Sequence, residues 1–289
     1  MADKKYVLIS DSTSDLPDEI YKHLDVKIMK FTFEIDGETH PDGGMDYHDF
    51  YDKMRNGSMT KTSQIPPDTA EKFFEDFIKK GYDILCLSFS SGLSGTYNGA
   101  CIARDNLKEK YPDAKIIVVD SLCASTGQGL LLYKAAELRK SGMGLEELGK
   151  WLEDNKLHLC HLFTVDDLKY LHRGGRISKA TAVAGSILGI KPILHVDDEG
   201  RLVAIGKVRG RKQSLNKLVE LMSERIEGYE NSVIAICQGD CWGDADYVAD
   251  LARKKLGEDT KVIISYTGTV IGAHSGPGTL ALFFMGSKR

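Results

Sequence analysis

Residues Ile84-Leu85-Cys86-Leu87 lead, through Ser88 and Phe89, into Ser90-Ser91-Gly92-Leu93-Ser94-Gly95-Thr96-Tyr97. The first stretch predicts a buried strand, and the second predicts a turn that opens a helix. The turn carries three serines, a threonine and two glycines. Hydroxyl groups beside the free N–H groups of a helix N-terminus form a site suited to a small anion. This stretch therefore predicts an α/β fold with an anion site at a strand end; a capped helix without a ligand is the alternative interpretation.

Strands alternate with helices on both sides of this stretch. The pattern predicts strands over Tyr6–Ser10 and Lys115–Val119 and a helix over Pro67–Lys80. Alternation at this spacing is typical of an N-terminal, mainly parallel sheet with flanking helices. Two short runs, Ile193–Val196 and Leu202–Val208, predict a paired hairpin and hence a mixed sheet later in the chain. We expect two α/β domains, residues 1–160 and residues 161–289, with a ligand between them.

Three further segments carry more specific expectations. Val26–Ile35 alternates and predicts one strand, ended by a turn at Asp36-Gly37. Ser178–Leu188 predicts a helix. Gly278–Met285, close to the end of the 289 residues, also predicts a helix.

Composition limits the classes of protein to consider. Apolar residues make up 42% and charged residues 28% of the chain, and the net charge is −4. These values predict a packed core and argue against nucleic acid as the main partner. The apolar run Tyr6–Ile9 is too short for a signal peptide, and no run is long enough to span a bilayer. We therefore expect a cytoplasmic protein.

The cysteines and histidines do not predict a metal site. The six cysteines are scattered through the sequence, which is typical of reduced, buried thiols. The segment His158-Leu159-Cys160-His161 alternates as a strand would, and no second pair of ligands at zinc-binding spacing accompanies it. We expect no metal.

Hydroxyl groups and one histidine recur at other predicted turns. Thr62 stands just before two prolines and a helix, and Ser125 opens the helix after the Asp120 strand end. His274 lies in a glycine-rich segment, which would pack backbone closely around its imidazole. Strand ends of a parallel sheet meet at one edge, so we expect Asp11, Ser94 and Ser121 to converge there. The alternative interpretation is that these segments are turns without a ligand and that His274 is a surface residue.

Two basic loops are a further feature. Arg173-Gly174-Gly175-Arg176 lies between two predicted helices, and Lys207–Lys212 contains Arg209. Solvated loops are the simple interpretation. A docking surface for an acidic partner or for nucleotide phosphates is the functional one.

Six segments together resemble the DegV family of bacterial proteins, in the family's order and over nearly the whole chain. They are Asp11–Leu16, Thr62–Gln64, Ser90–Thr96, Asp167–Ser178, Ile190–Leu194 and His274–Gly278. The resemblance implies a two-domain α/β protein that holds a long-chain fatty acid, such as palmitate, and serves lipid transport or fatty acid metabolism. It also implies no catalysis by the chain itself, no cofactor beyond the ligand and no stable membrane insertion.

The resemblance also implies roles for individual residues. The family's fatty-acid carboxylate site falls on Thr62, Ser94, the Gly95 amide, Ser125 and His274. Around Thr62 the chain departs from the family pattern, because Ile65 moves the two prolines one residue later.

Some family members are the fatty-acid-binding subunit of bacterial fatty acid kinase, whose partner phosphorylates the bound carboxyl group with ATP. The positions that contact the kinase fall on the two basic loops, at Arg173, Arg176 and Arg209. The resemblance thus implies a kinase partner that forms an acyl phosphate.

An enzyme is the alternative function. Ser94 and His274 are a serine and a histidine that would serve as nucleophile and base in a hydrolase or phosphotransferase. The spacing identifies no third, orienting carboxylate.

Overall fold

The computed structural model of the protein describes residues 5–179, 189–287 and 289. Most of the helix expected over Ser178–Leu188 lies outside the described residues. The fold contains a parallel sheet, a small antiparallel sheet and a larger mixed sheet.

The parallel sheet has the strand order β2-β1-β6-β7. Its strands are β1 (Tyr6–Asp11), β2 (Val26–Met29), β6 (Asp83–Ser88) and β7 (Ile116–Asp120). Its helices are α1 (Asp18–Leu24), α3 (Pro67–Ile78), α4 (Thr96–Lys110), α5 (Thr126–Lys140) and α6 (Leu145–Asn155). All six residues of β6 are buried, as expected for a parallel strand covered on both faces. The carboxyl ends of β1, β6 and β7 meet at one edge, where the sequence predicts a site.

The antiparallel sheet has the order β4-β3-β5 and was not predicted as a separate unit. It consists of β3 (Thr32–Ile35), β4 (Glu38–Pro41) and β5 (Thr60–Ser63), and helix α2 (Tyr47–Arg55) connects the last two. The expectation of one strand over Val26–Ile35 is wrong: β2 pairs with β1, whereas β3 pairs with β4 and β5. The turn at Asp36-Gly37 is confirmed, since both residues have positive φ angles, 52° and 84°.

The mixed sheet has the order β10-β9-β8-β13-β11-β12. Its strands are β8 (Leu159–Thr164), β9 (Ile190–Val196), β10 (Leu202–Arg209), β11 (Val233–Gln238), β12 (Lys261–Tyr266) and β13 (Leu280–Met285). Its helices are α7 (Lys169–Arg173), α8 (Arg211–Arg225), α9 (Trp242–Leu256) and α10 (Thr269–Ser275). The predicted hairpin is confirmed, because β9 and β10 pair antiparallel.

Strand β13 corrects the helix predicted over Gly278–Met285. Its residues Leu280–Met285 are all buried between β8 and β11, antiparallel to both. A short, wholly apolar run fits a central strand as well as a buried helix, and its periodicity does not separate the two.

Helix α5 joins the parallel sheet to the mixed sheet. Its first seven residues are all buried, and it contacts β8, β11 and β13 of the mixed sheet. Its leucines Leu130 and Leu131 share a core with Leu8 and Leu85 of the parallel sheet and with Phe283 of β13. A helix whose first half is buried on every side suits this sandwiched position. The α/β fold with a parallel and a mixed sheet is thus confirmed, and the division at residue 160 stays a prediction.

Candidate functional site

A cavity of about 410 Å³ lies where the parallel-sheet strand ends face the mixed sheet. Most of its wall is aromatic or aliphatic, formed by Phe31, Phe89, Leu93, Phe163, Leu171, Val196, Leu202, Val270, Ile271, Ala281 and Phe283. Polar side chains from four separate segments join it, among them Thr62, Ser94, Arg176 and His274. The cavity is therefore suited to an apolar ligand with a polar end.

The turn after β6 is held in place by aspartates at the ends of the neighbouring strands. Asp11, the last residue of β1, accepts a hydrogen bond from the Phe89 amide at 2.8 Å. Asp120, the last residue of β7, accepts one from the Ser91 amide at 3.1 Å. Burial raises the pKa of Asp11 to about 6. The predicted convergence of the strand ends is thus observed, and it orients the turn toward the cavity.

Ser94 and Gly95 lie at the start of α4. The helix begins at Thr96 with Gly95 as its N-cap residue. The Ser94 hydroxyl oxygen accepts from the Thr96 amide at 3.3 Å and shares a hydrogen bond with the Thr96 hydroxyl at 3.1 Å. A Cβ atom at Gly95 would lie 2.3 Å from the Gln64 side-chain oxygen. The backbone and the Ser94 hydroxyl therefore line the cavity together.

Thr62 and His274 form a direct pair. Thr62 stands on β5, and its hydroxyl oxygen lies 2.8 Å from His274 Nε2 on α10. His274 Nδ1 is buried without a hydrogen-bond partner among the described residues, and Gly174 packs against that edge of the ring. Burial, together with the nearby charge of Arg176, lowers the pKa of His274 to about 4. A neutral ring with no acceptor at Nδ1 carries its proton on Nε2, so we assign His274 as the donor to Thr62. The Thr62 hydroxyl hydrogen then remains available to a ligand.

Ser125 reaches the cavity wall, but its hydroxyl group is already engaged. It is buried, with φ at 53°, and its oxygen lies 2.5 Å from an Asp15 carboxylate oxygen and 3.2 Å from Cys237 Sγ. Burial and the neighbouring Asp42 hold the pKa of Asp15 well above its ordinary value. The structure thus brings Ser125 near Thr62 and Ser94 while directing its hydroxyl hydrogen into the protein.

The three arginines expected to dock a partner occupy different settings. Arg173 is exposed at the end of α7, with its guanidinium 5.7 Å from the centre of the Tyr170 ring. Arg209 is exposed at the end of β10. Arg176 is half-buried and lines the cavity. A docking role for the three residues stays a prediction.

His161 is a cavity residue that the sequence did not single out. Its ring is fully buried on β8, accepts a hydrogen bond from the Ala124 amide at 3.2 Å and meets the Phe283 ring edge-to-face. Burial holds its pKa well below the ordinary value, so the ring is neutral. Alternation along the strand could not have located it, because all six residues of β8 are buried, on both faces of the strand.

Within residues 5–179, 189–287 and 289, one grouping of His, Cys, Asp or Glu side chains has metal-binding proximity: His48, Asp52 and Asp240. His48 of this grouping is exposed, and none of the three residues lines the cavity. Arg55 donates to both aspartates, at 2.8 and 2.5 Å, and thereby supplies their positive partner.

In the described part of the chain, no α-helix combines the length and the apolar character that crossing a bilayer requires.

Comparison with known proteins assigns the chain to a protein family. A sequence model of the DegV family of uncharacterised proteins matches residues 5–287. The chain belongs to the DegV family. A DegV domain-containing protein of Clostridium perfringens is 44% identical to it, over 99% of each chain.

Solved structures of DegV proteins share the fold. A DegV family protein from Eubacterium eligens, loaded with heptadecanoic acid, is 28% identical over 98% of this chain and 100% of that one, with a TM-score of 0.86. A stearic acid-binding protein from Eubacterium ventriosum is 27% identical over 97% and 98% of the two chains, also with a TM-score of 0.86. Both proteins are described by a fatty acid ligand, and both match this chain over nearly its full length.

Proposed function

We propose that this DegV-family protein binds a long-chain fatty acid and acts as a carrier rather than as an enzyme. One observation supports this most strongly: a cavity with a mainly apolar wall is also lined by Thr62, Ser94 and Gly95, which come from separate segments of the chain. The carboxylate would accept from Thr62, Ser94 and the Gly95 amide, with His274 behind Thr62. The fatty acids named for the two structural relatives support the same ligand class.

The energetics suit such a ligand. A palmitate-like tail of about fourteen methylenes gains roughly 11 kcal/mol on burial, at about 0.8 kcal/mol per group. Each hydrogen bond to a charged head group contributes roughly 1.5–3 kcal/mol. The tail therefore supplies most of the affinity, and the head contacts determine which end of the ligand faces the donors.

The same proposal includes presentation of the carboxyl group to an ATP-dependent kinase in the cytoplasm, with an acyl phosphate as the product. The exposed guanidinium groups of Arg173 and Arg209 support a docking surface for that partner, since both are free of carboxylate partners among the described residues. Mixing the protein with a candidate kinase, ATP and palmitate tests this step. Acyl-phosphate formation that is lost in Arg173→Glu, with fatty-acid binding retained, is the expected result.

The surroundings of His274 favour binding over catalysis. A hydrolase would place the imidazole against the Ser94 hydroxyl, with a carboxylate behind it. Here the imidazole contacts Thr62, and its other nitrogen faces Gly174. Steady turnover of an acyl ester without any partner, abolished by Ser94→Ala, would reverse this conclusion.

The deciding experiment is extraction of the purified protein with organic solvent, followed by mass spectrometry. We expect close to one fatty acid per chain. The double variant Thr62→Ala/Ser94→Ala should retain much less, whereas Ser63→Ala, on the opposite face of β5, should match the wild type. Recovery of no fatty acid from well-folded wild-type protein would contradict the proposal.

A further inference from the structure

Ser275 carries a buried hydroxyl group in the wall of the cavity. It is the last residue of α10, it is 5% exposed, and it lines the cavity. Its Oγ atom is buried and forms no hydrogen bond with any residue that the structure describes. Burying a hydroxyl group without a partner is unfavourable for the folded protein. The residue is therefore placed as if for a partner that arrives from outside the chain.

Other hydroxyl groups of the same wall already have partners. Thr279 also lines the cavity, and its hydroxyl group donates to the Gly276 carbonyl oxygen at 2.8 Å. Thr267 lines it as well and donates to Cys237 Sγ at 3.2 Å. These two side chains direct their hydroxyl hydrogens into the protein. Ser275 differs from both, because its hydroxyl group keeps a donor and an acceptor for a molecule in the cavity.

The cavity-facing side of α10 places Ser275 next to the proposed head-group site. Val270, Ile271, His274 and Ser275 all line the cavity, at the three- and four-residue spacing of one helix face. His274 contacts Thr62 at 2.8 Å. Consecutive side chains leave a helix about 100° apart, so the Ser275 hydroxyl group reaches the cavity beside the Thr62–His274 pair. It thus faces ligand atoms next to the carboxylate.

We propose that Ser275 recognises a hydroxyl group on carbon 2 or carbon 3 of the ligand, so that the protein favours long-chain acids hydroxylated there over the unsubstituted acid. This inference rests on the proposed function and adds to it the class of fatty acid. A site built to hydrogen-bond a hydroxyl group disfavours an analogue without one, because the site's own polar group then stays buried and unpaired. A neutral ligand hydroxyl group both donates and accepts, which matches what Ser275 offers.

The test compares hexadecanoate with its 2-, 3- and 16-hydroxy derivatives, by displacement of a fluorescent fatty acid. The 16-hydroxy acid controls for polarity, since its hydroxyl group lies at the far end of the tail. We expect the wild type to bind the 2- or the 3-hydroxy acid more tightly than hexadecanoate and to show no such preference for the 16-hydroxy acid. In Ser275→Ala the preference should fall roughly three- to tenfold, as loss of one neutral hydrogen bond implies.

The matched control is Thr279→Val, which removes a hydroxyl group from the same wall that is already engaged by Gly276. It should keep the wild-type preference for the hydroxylated acid. Urea unfolding of the ligand-free proteins supplies a second readout. Ser275→Ala should be at least as stable as the wild type, because it removes an unpartnered buried group, whereas Thr279→Val should be less stable.

The inference fails if the wild type binds hexadecanoate as tightly as the 2- and 3-hydroxy acids, a result that leaves the proposed function intact. Equal weakening of all four acids in Ser275→Ala would assign Ser275 to the carboxylate instead. A loss of stability in Ser275→Ala would show that the hydroxyl group supports the fold, and would equally overturn the inference. Failure of the wild type to bind any of the four acids would overturn the proposed function as well.

Discussion

Two turns that look alike in sequence behave differently in the structure. The turn after β6 and the turn after β7 both follow a parallel strand, both carry serines, and both open a helix. In the first turn the Ser94 hydroxyl hydrogen-bonds to Thr96 of its own turn and lines the cavity. In the second, the Ser125 hydroxyl is buried against Asp15, 110 residues away in the chain.

The difference comes from what covers each turn. Helix α5 lies between two sheets, so the turn that opens it is enclosed by protein. Helix α4 packs on one sheet, and Gly95 at its start is exposed. A hydroxyl group at an enclosed helix start supports the fold, whereas one at an open start is available to a ligand. The following predictions test that contrast, from the largest expected effect to the smallest.

Adding a methyl group to a glycine should destabilise the protein far more at the enclosed start of α5 than at the open start of α4. A Cβ atom at Gly129 would lie 2.3 Å from the Ser14 carbonyl oxygen, which belongs to the backbone and has little freedom to move. Gly129→Ala should therefore lower the free energy of unfolding by about 1–3 kcal/mol or more. Gly95→Ala meets only the end of the exposed Gln64 side chain, so its effect should stay within about 0.5 kcal/mol. Urea unfolding followed by circular dichroism measures both, and equal losses would contradict the contrast.

Removing a hydroxyl group should cost stability at the enclosed turn. Ser125→Ala leaves the buried Asp15 without this donor and should lower the free energy of unfolding by about 1–3 kcal/mol. Ser94→Ala should cost less than about 1 kcal/mol, because the Ser94 hydroxyl is partly exposed. The φ angle of 53° at Ser125 adds a second comparison: Ser125→Gly relieves the backbone and should be less destabilising than Ser125→Ala. Thermal unfolding of the three variants would decide, and a larger loss in Ser94→Ala would reverse the interpretation.

Ligand binding should show the opposite order. Thr62→Ala and Ser94→Ala each remove one hydrogen bond to a charged head group, so each should weaken palmitate binding roughly tenfold. Ser125→Ala should change it less, since the Ser125 hydroxyl hydrogen is engaged by Asp15. Fluorescent displacement assays measure the affinities, with Ser63→Ala as the control. Unchanged affinity in both Thr62→Ala and Ser94→Ala would remove these residues from the head-group site.

His274 should also make the folding stability depend on pH. The pKa of His274 is about 4 in the folded protein and 6.5 as its ordinary value. The unfolded chain therefore binds the proton more readily between these values, and folding stability from this group falls as the pH drops from 6.5 toward 4. His274→Asn lacks this contribution.

The comparison of the two proteins isolates His274 from other titrating groups. Asp11, whose pKa is raised to about 6, acts with the opposite sign but is present in both. We expect the stability advantage of the wild type over His274→Asn to be smaller at pH 5 than at pH 7. A difference that does not vary with pH would mean that His274 is solvated like a free imidazole.

The fold was predictable where local pattern and length agreed. The strand–turn–helix around Ser90–Thr96 and the Asp36-Gly37 turn carry their own geometry, so the sequence located both correctly. The segment Leu280–Met285 carries no such local signal, because six apolar residues are compatible with a helix or with a strand. Pairing with the neighbouring strands β8 and β11 makes it a strand. Val26–Ile35 was divided between two sheets for the same reason, since strand partners lie far away in the chain.

The sequence by itself indicated which residue types line the cavity: hydroxyl-bearing residues and a histidine in a glycine-rich segment, with Thr62 and His274 in contact. Tertiary structure alone decided how each group is used. It directed the Ser125 hydroxyl to Asp15 and turned Arg176 from a loop residue into a cation in the cavity wall. The physical reason is that hydrogen-bond donors and charges take their roles from burial and from partners, and packing between distant segments sets both.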